Sequence, residues 1–104
     1  VAGAQELAET AQAHGWTVKI TYALAWVPAR YHRSGVMAKD GHRLASVAVR
    51  LRRGPDTGWA LWRSEHDGPW KFDHAFVGLV RHGWSRSAEV RLSSVLQRVE
   101  ADPT

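Results

Sequence analysis

"RLASVAVRLRRG" occupies residues 43–54, and its reading decides the fold. Ala45, Val47, Val49 and Leu51 alternate with Ser46, Ala48, Arg50 and Arg52. A period of two is the spacing of a β-strand with one apolar face. Arg43 and Arg53 frame the run. The apolar face must cover a core. The other face carries two arginines, whose charge is permanent and is not buried without partners. That face therefore meets water or anions.

The flanking segments extend the pattern. In "WTVKITYALAWV" (16–27), Trp16, Val18, Ile20, Tyr22, Leu24 and Trp26 alternate with Thr17, Lys19, Thr21, Ala23 and Ala25. This predicts a second long strand, ended by Pro28. Residues 28–42 read as a loop or irregular hairpin, with 36–38 as a short strand and Asp40-Gly41 as a turn. "GPDTG" (54–58) and "EHDGP" (65–69) are turns around a strand, "WALWR" (59–63), and "WKFDHAFV" (70–77) is a further strand. Upstream, Ala4, Leu7, Ala8 and Ala11 form a thin helical stripe within 4–14, stopped by Gly15. Downstream, Ala88, Leu92, Val95, Leu96 and Val99 keep helical spacing. A helix from Ser87 to Glu100 fits, and so does a shorter one capped by Ser93 after an extended 88–92.

Helix, four strands joined by short turns, then helix predicts an α+β domain. Its sheet is antiparallel, about four-stranded, with both helices against one face. Val18, Ile20, Tyr22, Val47, Val49 and Leu51 are expected in one apolar layer with Leu7 and Leu96.

A chain of 104 residues is expected to form one domain with a modest core. At 44% hydrophobic and 23% charged residues it has globular composition, which argues against disorder. It contains no cysteine, so disulfides, thiolate metal sites and thiol catalysis are excluded. No apolar run has the length of a membrane span. "VAGAQELAET" (1–10) lacks the basic-then-apolar order of a secretory signal. A cytoplasmic protein with no membrane partner is therefore expected.

The net charge of +4 is unevenly spread. Residues 30–53 hold Arg30, Arg33, Lys39, Arg43, Arg50, Arg52 and Arg53 against one acid, Asp40. That stretch is +6 and the remaining 80 residues sum to −2, so one region supplies the whole excess.

Catalytic patterns are thin. No glycine-rich phosphate loop is present. "GWSRS" (83–87) matches only part of a nucleophile elbow, because Ser87 stands where the last glycine belongs. His66, Asp67, Asp73 and His74 lie on either side of a turn and could meet across a hairpin, but no closely spaced histidine pair supports a metal site. Asp67 and Asp73 could face each other, with nothing to set their environments apart. His32 and His42 flank the basic loop and add protonatable charge. The expectation is a non-enzymatic protein with no cofactor, no metal and no catalytic residue.

"AQAHGWTVKITY", "KDGHRLASVAVRLRRG" and "GWALW" together resemble small proteins of high-GC actinobacteria and their mobile elements. Eleven arginines against three lysines fit such a source. The resemblance spans roughly residues 5–80 and carries over no functional residue. The element order is also similar to that of the double-stranded-RNA-binding domain. This chain departs from that family in its fourth strand, and it lacks the lysine cluster opening the last helix. Arg81, Arg86 and Arg91 are a loose substitute.

The leading expectation is a small basic binding module that takes DNA or RNA through Arg30, Arg33, Lys39, Arg43, Arg50, Arg52 and Arg53. Tyr31 and Trp62 are candidates for stacking on bases. The alternative is a protein–protein interaction or regulatory module whose arginines meet an acidic partner, or whose exposed sheet edge meets a second copy. A third class is a small-ligand pocket lined by Trp16, Trp26 or Trp59, with arginine gripping a carboxylate or phosphate.

Overall fold

The computed structural model describes residues 1–27, 30–31, 37–39, 41–79 and 89–101, with backbone alone at 27, 30–31, 37–39 and 42. The elements run α1 (Ala2–Ala13), β1 (Thr17–Val27), β2 (Arg30–Tyr31), β3 (Met37–Lys39), β4 (His42–Arg53), β5 (Asp56–Glu65), β6 (Lys71–Gly78) and α2 (Leu92–Glu100). Four strands form an antiparallel sheet in the order β1-β4-β5-β6. The short β2 and β3 pair separately, as an irregular hairpin. The expected α+β architecture is present. No helix among the described residues is long and apolar enough to cross a membrane.

The turns set the register. Arg53 stands opposite Asp56, so Gly54 and Pro55 alone make the β4–β5 turn. Gly54 has φ +60, which suits the first central position of a tight hairpin. Strand β5 therefore starts at Asp56, three residues before the apolar run that marks it in the sequence. At the β5–β6 turn, His66 (φ 54) and Asp67 (φ 56) are both left-handed, the twist that a two-residue hairpin favours. The Gly68 N–H closes this turn on the Glu65 carbonyl at 2.9 Å, and the Ser64 hydroxyl donates to the Gly68 carbonyl at 2.7 Å.

Alanine, glutamine and glutamate favour the helix at α1. Its end is a Schellman motif: Gly15 (φ +84) donates to the Gln12 carbonyl and Trp16 to that of Ala11. The chain thus passes straight from α1 into β1. Helix α2 begins at Leu92, because Glu89 exchanges two backbone hydrogen bonds with Ala75 of β6 and Arg91 is extended. The longer helix from Ser87 is not formed, although Ser87 and Ala88 themselves lie outside the described residues. The shorter reading holds in extent, but Ser93 sits inside the helix and no side chain caps it.

Both helices lie on the apolar face of the sheet. Leu7, Ala11, Trp16, Val49, Leu51, Trp62, Val77, Val95 and Val99 form one buried cluster. Leu7, Val47, Val49 and Leu51 are buried as expected, and Val18 and Leu96 pack partly buried against them. Ile20 and Tyr22 break the expectation. They share the face, opposite Val49 and Val47, yet both are exposed. The helices cover the Trp16 end of β1, and the stripe continues beyond them.

Val49 is fully buried at the centre of this layer. Val49→Ala is expected to cost about 1–3 kcal/mol through lost transfer energy and the cavity it leaves. Denaturant melts should show a lower midpoint with an unchanged slope.

Candidate nucleic-acid interface

The face of the sheet turned away from the helices carries the chemistry. Residues directly opposite in an antiparallel pair lie on the same face. Lys19 of β1 stands opposite Arg50 of β4, Arg50 opposite Trp59 of β5, and Trp59 opposite Phe76 of β6. One row across the sheet therefore reads cation, cation, ring, ring. The next row places Arg52 between Thr17 and Thr57. With strands about 4.8 Å apart, the row Lys19 to Phe76 spans roughly 14 Å.

The packing of small and large side chains hollows this surface. Ala48 and Leu61 lie on its floor, Lys19, Arg50 and Arg52 on one side, and Trp59 on the other. The hollow has a volume of about 530 Å³. A second hollow, of about 360 Å³, adjoins the same tryptophan and is lined by Thr57, Gly58, Trp59, Phe76 and Gly78. Trp59 is half-buried and lines both. His74 meets its ring edge-on at 4.9 Å and Phe76 tilts against it at 5.1 Å, so the indole is held from the β6 side.

A bulge helps to hold the ring. Leu61 pairs with His74 and Trp62 with Phe72, which leaves Asp73 as the extra residue of β6. The Asp73 carboxylate bonds the His74 ring and lies 3.6 Å from the Arg63 guanidinium. Bulges re-aim side chains in this way.

The electrostatics of the row are unbalanced. Like charges directly opposite one another are destabilising. Lys19 and Arg50 are such a pair, and both are exposed, as is Arg52. Among the described residues none of the three is paired with a carboxylate. An anion between them would remove the repulsion.

Of the seven cations singled out in the sequence, Arg50 and Arg52 come together here. Arg43 shares the helix-side face, at the other end of β4, 3.7 Å from Asp67. Arg53 is also on the helix side, with a side chain only 10% exposed. It lies 3.5 Å from the buried Asp56 carboxylate, donates to the carbonyls of His14 and Ala101, and covers the Trp16 ring at 4.5 Å. Its role is to tie the ends of both helices to the β4–β5 turn. Arg30 and Lys39 oppose each other in the β2–β3 ladder, where the backbone alone is described. Arg33, His32, Arg81 and Arg86 lie outside the described residues, and Tyr31 and His42 are described by backbone alone.

No family model, curated protein or solved structure matches this chain.

The aromatic candidates are also re-sorted. Trp62 is buried beneath α1 and stacks edge-on with Phe72, so it is a core residue. Trp16 is buried, its indole N–H bonded to the Val99 carbonyl at 2.9 Å, and Trp26 is exposed on the helix-side face. Trp16, Trp26 and Trp59 therefore share no pocket, and Trp59 alone stands at the hollow. Among the described residues no three His, Asp or Glu side chains are grouped to hold a metal ion, and His66 and Asp67 sit in their turn away from the Asp73–His74 pair. The sequence reading missed Lys19, and it named Trp59 only with Trp16 and Trp26 as the lining of a small-ligand pocket, not beside Arg50 on the basic face. Both were signalled: Lys19 falls out of phase with the apolar stripe of β1, and a two-residue turn at 54–55 puts Trp59 opposite Arg50.

Proposed function

We propose that this protein is a non-enzymatic nucleic-acid-binding module that uses the open face of its sheet. The observation that carries this reading is the row Lys19–Arg50–Trp59–Phe76. Its cations suit phosphates, which dominate the affinity of such complexes. Its tryptophan suits a base, because every base has a π-face on which an indole can stack. The hollow beside Trp59 takes an unpaired base, whereas a duplex keeps its bases stacked inside. The reading therefore favours a single-stranded segment. It involves no reacting group.

The test is a fluorescence-anisotropy titration on a single strand, duplex DNA and duplex RNA at several salt concentrations. The single strand is expected to bind most tightly, and its affinity to fall steeply with salt. No binding to any of the three at low salt overturns the reading. Trp59→Ala is expected to remove roughly 1–3 kcal/mol of single-strand affinity, the usual worth of one stacked base, and to leave duplex binding nearly unchanged. Equal losses on both would remove the stacking role.

A further inference from the structure

We propose that β1 is a homodimer interface, paired antiparallel with β1 of a second copy. The two edges of the sheet differ. On β6, Ala75 is bonded in both directions to Glu89, and the Val77 carbonyl accepts from Arg98. On β1, eleven residues pair with β4 alone among the described residues. A long open edge is ordinarily blunted by charges, proline or a bulge. Residues 17–27 contain one charge, Lys19, and no proline, and the β1–β4 register runs without a bulge.

Among the described residues the same strand bears the largest exposed apolar stripe. Ile20 is 53% exposed, Tyr22 62%, Leu24 52% and Trp26 65%, and the Trp70 ring stands 6.3 Å from that of Tyr22. At full side-chain areas of roughly 150–250 Å², these fractions leave on the order of 450 Å² on each copy. Two copies offer on the order of 900 Å² before backbone is counted, against roughly 1,200–2,000 Å² for a stable interface. The strand backbones, and α1 of each copy laid beside the bare stripe of the other, supply the rest.

The strand suits a second copy of itself. Pairing all eleven residues sets the two-fold axis at Tyr22, so Ile20 meets the partner's Leu24 and Val18 the partner's Trp26. Apolar positions meet apolar positions. The single charge meets the partner's Ala25, so the like-charge clash inherent in self-pairing is avoided. Antiparallel pairing also sets the helix-covered end of each copy beside the bare end of the other, on the same side of the sheet. The partner's α1 then flanks Leu24 and Trp26.

Sedimentation equilibrium on the full chain tests this. The wild type is expected to be a dimer at micromolar concentration. Tyr22→Lys/Leu24→Lys is expected to be a monomer with an unchanged far-UV spectrum, and Gln97→Lys, on an exposed position of α2, a dimer. A wild type that stays monomeric at high concentration overturns the proposal, as does a dimer that survives the double substitution. Register is read separately, since the chain has no cysteine of its own. Tyr22→Cys places two thiols across the axis, within disulfide reach, and is expected to cross-link on mild oxidation. Leu24→Cys places them roughly 13 Å apart along the strands and is expected not to. A wild-type dimer with no cross-link at Tyr22→Cys overturns the pairing.

Discussion

Arg53→Ala is expected to destabilise the fold by about 3–5 kcal/mol, the cost of breaking a buried ion pair by removing one partner. The Asp56 carboxylate, 6% exposed, would lose the cation beside it. The carbonyls of His14 and Ala101 would lose their donor, and the Trp16 ring its cover. These losses fall at one point, where the end of α1, the end of α2 and the β4–β5 turn converge. For a domain of this size the thermal midpoint should fall by at least roughly 12 °C. Arg53→Lys keeps the charge but not the fork that reaches two carbonyls, and should recover only part of the loss. A melt that leaves Arg53→Ala within a degree of wild type would show that this cluster does not hold the helices down.

Replacing Arg50 and Arg52 together by alanine is the decisive perturbation of binding. Neither side chain contributes a described ion pair to the fold, and both are exposed, so stability should change little. Affinity for all sequences should fall, because phosphate contacts carry little sequence information. Each phosphate contact contributes roughly 0.7 to the salt slope on a single strand. Losing two should flatten the plot of log affinity against log salt by about 1.4. The readout is the anisotropy titration repeated over salt. Binding that persists with an unchanged slope would move the site off this face.

Period-two alternation in 16–27 and 43–53 made the sheet legible, and the turns at 54–55 and 65–68 made it antiparallel. Alternation assigns a residue to a face without saying how far the covering layer extends. Ile20 and Tyr22 were therefore assigned to the correct face and to the wrong environment. The charge run misled in a different way. Net charge along the chain takes no account of facing, so it grouped Arg50 and Arg52 with Arg43 and Arg53, which the same alternation sends to the other side. Trp59 and Trp62 are three residues apart and so lie on opposite faces. Only the register of β5 against β4 tells the stacking candidate from the core residue. The tie between Arg53, His14 and Ala101 joins residues dozens of positions apart, and no local pattern announces it.

The two hydrogen bonds between Ala75 and Glu89, at 2.9 and 2.7 Å, bear on how far self-association can run. A sheet with two free margins can add copies at both, and head-to-tail addition has no natural end. Here one margin is already interrupted by the protein's own chain, at Ala75 and Val77. Joining at the other consumes the remaining one on both molecules at once. In the proposed dimer growth is closed at two, and the exposed tyrosine and tryptophan of β1 would form a seam within a finite particle instead of the seed of a fibril. Loosening the Glu89 segment would reopen the second margin and turn a self-limiting association into an unlimited one.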